Sequence, residues 1–329
     1  MPTRASRPFG RNASRSGRGA ELPIRDVHAS ILKYFVEVAR CGSIRKAAQN
    51  LFVASSAINR QIRKLEEELG TELFDRLPSG MRLNAAGERV LQHVRGTLHD
   101  YHITRTELDA LKGERTGHVA LASMDSLFID FLPAAVEDFA EAFPAVTYKL
   151  TALSPGEVAE WVISGRCDIG ISFLSRLPAG LKVVARAPFP LGVVMAPSHP
   201  LARKAAISVA DCEGQPFLRS SGPSPVNSKQ VPEFGRFWDA VEPHIACNST
   251  PLLKRLIVAG KGIAFFSKIA FMDELSRGDL VWRPLDIAAI NRMEAGIFVA
   301  GQRPLSHVAG AFVERIVRRF KQMEVAAAG

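Results

Sequence analysis

The stretch Ser43–Gly70, "SIRKAAQNLFVASSAINRQIRKLEEELG", decides the fold of the first quarter of the chain. Ser43 can cap a helix running from Ile44 to Asn50, with Ala47, Ala48 and Leu51 facing inward. A short turn around Phe52 and Val53 follows. Ile58, Ile62, Leu65 and Leu69 then recur at helical spacing, which predicts a longer helix over Ser55–Leu69 that Gly70 ends. Glu66, Glu67 and Glu68 read as its solvated face.

Working outward, Ile31, Leu32, Phe35, Val38 and Ala39 form a preceding amphipathic helix that stops at Gly42. On the other side come Leu73-Phe74-Asp75-Arg76, a turn at Pro78-Ser79-Gly80 and a returning Met81-Arg82-Leu83. Short helices joined by a tight turn and closed by a hairpin predict a winged helix-turn-helix over residues 29–87. Residues 85–113 read as one long helix, and 88–115 as the linker segment. Its apolar positions Leu91, Val94, Leu98, Tyr101 and Leu108, with Arg105 between the last two, form a narrow seam. That seam suits a partner helix, or an ordinary helix packed on its own chain.

Residues 116–329 alternate strands with helices, which predicts an α/β body with mostly parallel sheets. Strand-like runs are His118–Met124, Val146–Leu150, Asp168–Phe173, Leu191–Met195, Gly262–Phe266 and Ala295–Val299. Helical runs are Ser126–Glu141, Gly156–Ser164, Pro232–Val241, Leu252–Ala259 and Ser306–Lys321. A body of this size has room for two lobes and a crevice.

Charge divides the chain the same way. The whole carries +9, yet residues 1–84 hold 15 basic against 8 acidic side chains and residues 116–329 hold 22 against 20. A cationic end on a nearly neutral body points to a polyanion partner. Residues 1–28 form a basic arm with Arg4, Arg7, Arg11, Arg15 and Arg18, too polar to fold alone and expected to be disordered. It has no apolar core of the kind a secretory signal needs. No run is long and apolar enough for a membrane span. The four cysteines, 41, 167, 212 and 247, are too scattered for a zinc site or a disulfide framework, which fits a reducing cytoplasm.

The run Leu32–Val90 resembles the DNA-binding domain of the LysR-type transcriptional regulators. The resemblance rests on Ala47-Ala48, "INRQIRKLEEELG" at Ile58–Gly70, "LFDR" at Leu73–Arg76 and "NAAGE" at Asn84–Glu88. "SGRCDIGI" at Ser164–Ile171, "APSHPLA" at Ala196–Ala202 and "VAGKGIAFF" at Val258–Phe266 resemble the effector domain of the same family. The resemblance implies a two-lobed, periplasmic-binding-protein-like effector domain over 116–329, with lobe I at about 116–190 and 283–329 and lobe II at about 191–282. It places the hinge strands near 186–196 and 264–284. It also implies sequence-specific binding to double-stranded DNA, a homodimer or homotetramer, and control by a small-molecule effector between the lobes. An organic acid or an aromatic is the expected effector class, and RNA polymerase is a candidate partner. The chain departs from the family where Ser-Gln-Pro-Ala usually opens the recognition helix. Here Ala54-Ser55-Ser56-Ala57 stands instead, so the cap is expected to move to Ser55 and the glutamine base contact is lost.

A recognition helix enters the major groove by its N-terminal end, which puts Ser55, Ser56, Asn59 and Arg60 at base edges. Arg63 and Lys64 should meet phosphates, as should Arg45 and Lys46 on the preceding helix. Arg76, Ser79 and Arg82 flank the wing. In the body, ligands of α/β sheets sit beyond strand carboxyl ends, where helix N-termini offer free N–H groups to anions. Ser123, Asp125, Ser126, Ser154, Phe173, Ser220, Ser221, Asn248, Ser249 and Thr250 occupy those places. Asp168 is expected to fix local structure.

Three rival readings compete. An enzyme lacks support, because no HExxH, Walker loop or GxSxG motif appears, so no catalytic, metal or cofactor site is expected. A solute-binding protein on the same two lobes would carry a signal sequence and no cationic head. A thiol-based redox sensor would use Cys212 and Cys247, whose spacing differs from the peroxide-sensing branch.

Overall fold

The computed structural model describes residues 30–78, 80–111, 116–222, 224, 226 and 228–328. The basic arm and Ser79 of the wing lie outside the described residues. The chain divides into two compact units, residues 1–83 and 84–329.

In the first unit, helices α1 (Ser30–Cys41), α2 (Ile44–Leu51) and α3 (Ser55–Leu69) precede the antiparallel hairpin β1 (Phe74–Leu77) and β2 (Gly80–Leu83). Apolar spacing supplies the core: Phe35, Val38, Ala47, Ile58, Ile62 and Leu73 are fully buried, and Phe35 meets Phe74 edge-on at 5.4 Å. Gly42 ends α1 at φ +63°, and Met81 N–H donates to its carbonyl at 2.8 Å. Gly80, at φ +134°, lets the wing approach that carbonyl, since a Cβ there would collide with it. Two local expectations fail. Leu69 is about half exposed, because α3 outruns the small core it packs on. Glu66 is not solvated: its carboxylate accepts Leu73 N–H at 2.9 Å and pairs with Arg76 at 3.6 Å, tying β1 to α3.

The second unit opens with α4 (Ala85–Leu111). Leu91, Val94 and Ile103 are already buried, whereas Leu108 is exposed, so part of the predicted seam packs on this chain. Next come β3 (Thr116–Ser123), α5 (Phe131–Ala142), β4 (Ala145–Ala152), α6 (Pro155–Ile163), β5 (Ile169–Phe173) and β6 (Leu181–Pro188). The chain continues through β7 (Gly192–Met195), β8 (Leu218–Ser220), α7 (Pro232–Ala240), β9 (Ile245–Cys247), α8 (Thr250–Val258), β10 (Ala264–Phe266), α9 (Met272–Arg277) and β11 (Val281–Pro284). It ends with α10 (Ala288–Asn291), β12 (Glu294–Ala300) and α11 (His307–Ala328).

Lobe I is a five-stranded sheet in the order β4-β3-β5-β12-β6; lobe II holds β10-β7-β11 and the pair β8-β9. The sheets are mixed, which corrects the mostly parallel expectation: β12 runs antiparallel to β5 and β6, and β7 antiparallel to β10 and β11. The cause is the double crossing between lobes, which returns β12 into lobe I from the far side. The hinge expectation near 264–284 is corrected too. Both β10 and β11 pair with β7 inside lobe II, and Leu285, Ile287 and Ile290 still pack in its core. The chain therefore recrosses just before Glu294, where Phe189 N–H donates to Met293 O at 2.7 Å and binds the two crossings together. Asp168 accepts Ala120 N–H at 3.0 Å, a structural role as expected.

Candidate functional site

Each unit carries one candidate site. On the first, Ser43 caps α2 by accepting Lys46 N–H at 3.4 Å. Phe52 then takes the left-handed conformation at φ +55° with its ring almost wholly exposed. That sharp reversal aims the chain into α3. The cap does not move to Ser55 as expected: α3 already begins there, and Ala54 in the cap position offers no side-chain acceptor. The first N–H groups of α3 are thus left for an outside partner. Ser55, Ser56 and Arg60 are exposed and Asn59 half-exposed along this end.

The expected cations differ in how free they are. Arg45, Lys46, Arg60 and Arg63 are exposed and form no ion pair among the described residues. Lys64 pairs with Glu68 at 3.6 Å, Arg76 with Glu66 at 3.6 Å and Arg82 with Asp75 at 3.3 Å. Behind this surface Glu37 holds α1 to α2. Its carboxylate takes the Arg40 guanidinium at 2.5 and 2.9 Å and Asn50 Nδ2 at 2.8 Å, and the Arg40 contact pulls its pKa down to about 2. The sequence reading placed Phe52 only as a turn residue and passed over Glu37. A bulky residue between "L" and "V" at the turn was the available cue for Phe52.

On the second unit, a cavity of about 340 Å³ lies between the lobes. Asp125, Ser126, Ser154, Phe173, Ser220, Asn248 and Thr250 line it, as expected. Ser123, Ser221 and Ser249 do not. Ser123 is fully buried, with its hydroxyl turned onto Met124 O at 3.3 Å, and Ser249 sits behind the wall, its N–H held by Cys247 Sγ at 3.2 Å. Ser221 is exposed outside it, its N–H bound to Cys247 O at 3.0 Å.

The helix N-termini were expected to offer free N–H groups to an anion. Instead each carries a carboxylate of the protein. Asp125 of lobe I accepts Thr250 N–H at the start of α8 in lobe II at 2.9 Å. Glu157 accepts both Ser154 N–H at 3.2 Å and the Ser154 hydroxyl at 2.5 Å at the start of α6. The sequence reading missed other parts of the wall, among them Arg219, Trp238, Phe217, Phe265, Phe266 and Glu157. Arg219 donates to Trp238 O at 2.9 Å and stacks 5.3 Å from that indole, while its buried Nε has no partner. The arginine just before Ser220 in "QPFLRSS" was the cue for it.

Burial pushes the thiols of Cys167 and Cys212 up to about 12, so at neutral pH neither supplies a reactive thiolate. Among the described residues no helix is long and apolar enough to cross a membrane.

The chain matches the bacterial regulatory helix-turn-helix family of lysR type over residues 30–88 and the LysR substrate binding domain family over residues 112–321. The chain belongs to the LysR family. It is a DNA-binding transcriptional regulator, and not an enzyme. Among curated LysR relatives, the HTH-type transcriptional regulator CbbR of Rhodospirillum rubrum is 28% identical over 299 residues, covering 88% of this chain and 97% of that one. A full-length OxyR variant from Pseudomonas aeruginosa superposes at TM-score 0.62 with 18% identity, covering 90% of this chain and 96% of that one. Full-length CbnR complexed with its target DNA gives TM-score 0.55 and 22% identity, covering 88% and 98%. At these identities the two structures speak for the fold of a LysR regulator.

Proposed function

We propose that this LysR-family regulator reads a promoter through α3 and senses a small molecule in the cleft between its lobes. Ser55, Ser56, Asn59 and Arg60 face base edges; Arg63, Lys64, Arg45 and Lys46 hold phosphates; Arg76 and Arg82 support the wing at the backbone or minor groove. The unpaired state of Arg45, Lys46, Arg60 and Arg63 favours them over Arg76 and Arg82, whose charges are shared with Glu66 and Asp75. The effector is an organic acid or an aromatic. The chain works in the cytoplasm as a homodimer or homotetramer joined through α4, with RNA polymerase as a further partner.

The observation that carries the sensing half is the cavity walled by both lobes and bridged by Asp125 and Thr250. A ligand there favours one lobe arrangement over another. Only that difference in affinity passes to the DNA-binding unit. The test is a binding series on genomic fragments against bulk competitor. Asn59→Ala costs about 1–3 kcal/mol on the preferred fragment and little on random DNA. Arg63→Ala weakens both alike and lowers the salt slope by about 1. Equal losses for Asn59→Ala on both DNAs remove it from the base-reading set.

A further inference from the structure

The geometry points to a small apolar monocarboxylate as the effector, its carboxylate held by Arg219; this rests on the inter-lobe cleft being the effector site. Among the described residues the cleft presents three charged side chains, Asp125, Glu157 and Arg219. The two carboxylates are engaged, with Thr250 N–H and with Ser154. Among the described residues Arg219 makes no ion pair and spends only Nη1, on Trp238 O at 2.9 Å. Its Nε is buried and unpartnered. The unspent Nε–Nη2 edge is the one that grips a carboxylate through two parallel hydrogen bonds, and leaving such a donor unpaired is costly. The Trp238 ring, 5.3 Å from the guanidinium, fixes the plane in which that edge lies.

The rest of the wall sets the ligand's body. Phe217 and Phe265 meet at 4.8 Å on the lobe II side, and Phe173 and Phe189 at 5.8 Å near the crossing. These rings take an apolar group, and about 340 Å³ is at the small end for ligand cavities, so one ring or a short branched chain fills it. Charge sets the valence. A dianion such as a phosphate ester would face Asp125 and Glu157 with one arginine to balance it, so one negative charge is favoured. The helix N-termini, where an anion would otherwise sit, already hold the protein's own carboxylates.

The experiment uses the full-length protein and calorimetric titration with benzoate, phenylacetate, 3-phenylpropanoate and 4-methylpentanoate. Each acid is paired with its primary amide, and phenyl phosphate is the dianion. At least one acid binds saturably and at least tenfold tighter than its amide. Arg219→Gln loses that preference, while Arg219→Lys, which keeps the charge and reports on folding, retains part of it. An amide that binds as well as its acid, an acid indifferent to Arg219→Gln, tighter phenyl phosphate, or no binding by any acid overturns the monocarboxylate assignment. Ala152→Trp, which fills the cleft mouth, separates the two readings. Amide binding that this variant abolishes overturns the carboxylate alone and leaves the cleft as the sensing site. Acid binding that survives both Ala152→Trp and Arg219→Gln lies elsewhere and overturns the cleft itself.

Discussion

The DNA-binding unit and the inter-lobe cleft solve opposite problems with the same side chains. The first leaves its polar capacity open: among the described residues Arg45, Lys46, Arg60 and Arg63 are unpaired, and the start of α3 has no side-chain cap. The second closes more of it: Asp125, Glu157 and Ser154 are bonded inside the protein, while Arg219 keeps a buried Nε donor in reserve. A surface that meets a polyanion gains from many weakly held charges, because each contact releases counterions. A cavity that meets one small molecule gains from few, because every unsatisfied buried group is costly before the ligand arrives.

The sharpest way to break this contrast is to ask whether the two units stand alone. Ile62 is fully buried in α3, and the first unit has roughly fifty described residues. Ile62→Ala removes about 2–5 kcal/mol. That is most of the stability a unit of this size holds, at about 0.05–0.15 kcal/mol per residue. Calorimetry should show the transition of the first unit lost or strongly lowered, DNA binding lost with it, and the second unit's transition within a degree of wild type. A matched fall in both transitions would mean the division at residue 83 is not energetic.

The next largest effect lies in the cleft. Asp125→Ala leaves Thr250 N–H without its acceptor and should destabilise the second unit by about 1–3 kcal/mol. Asp125→Asn keeps an acceptor oxygen and should lose less. Denaturant melts of the two variants check this; equal losses would mean that the charge, rather than the bond, joins the lobes.

How much of this was legible in the sequence divides along the same line. The helix-turn-helix was readable because its signals are local: Ser43, the Ala47-Ala48 pair, the Ile58 and Ile62 spacing, and Gly70. What failed there needed a third dimension. Glu66 looked solvated because its partners, Leu73 N–H and Arg76, come from the next element. In the cleft, strand ends pointed to Asp125, Ser126, Ser154, Phe173, Ser220, Asn248 and Thr250, all of which line the cavity. They did not give Arg219, Phe217 or Phe265, whose partners come from later elements: Arg219 meets Trp238 of α7, and Phe217 meets Phe265 of β10. The second crossing was misplaced for the same reason. β11 looks like the end of a lobe until β7 is found beside it.

Acid sharpens the comparison from the charge side. Glu37 titrates near 2 when folded against 4.5 ordinarily, because the Arg40 guanidinium stabilises its carboxylate. A folded pKa below the unfolded one gives stability that is complete above about 4.5 and lost as pH falls toward 2. Arg40 is mostly exposed, so solvent screening keeps the effect small. The first unit's melting temperature should fall across that window, and Glu37→Gln should flatten the fall. An unchanged acid profile in Glu37→Gln would assign the acid lability to other carboxylates.

The smallest expected effect is the most telling about design. Phe52 holds a left-handed backbone conformation at φ +55°, which costs a bulky residue about 1–2 kcal/mol, and its ring is 95% exposed, so burial gives almost nothing back. Asn tolerates that conformation, so Phe52→Asn should stabilise the first unit by about 1 kcal/mol. A residue that weakens its own fold at the entrance to α3 is the signature of a surface kept for something other than stability. The ring stands one turn before Ser55 and Ser56, where duplex sugars and thymine methyls would meet an apolar face. Phe52→Asn should therefore melt higher and bind the preferred fragment several-fold more weakly, as read by calorimetry and fluorescence anisotropy on the same sample. A variant that melts higher with undiminished affinity would show that this aromatic serves the turn alone, and that the open surface of the first unit is built from its cations only.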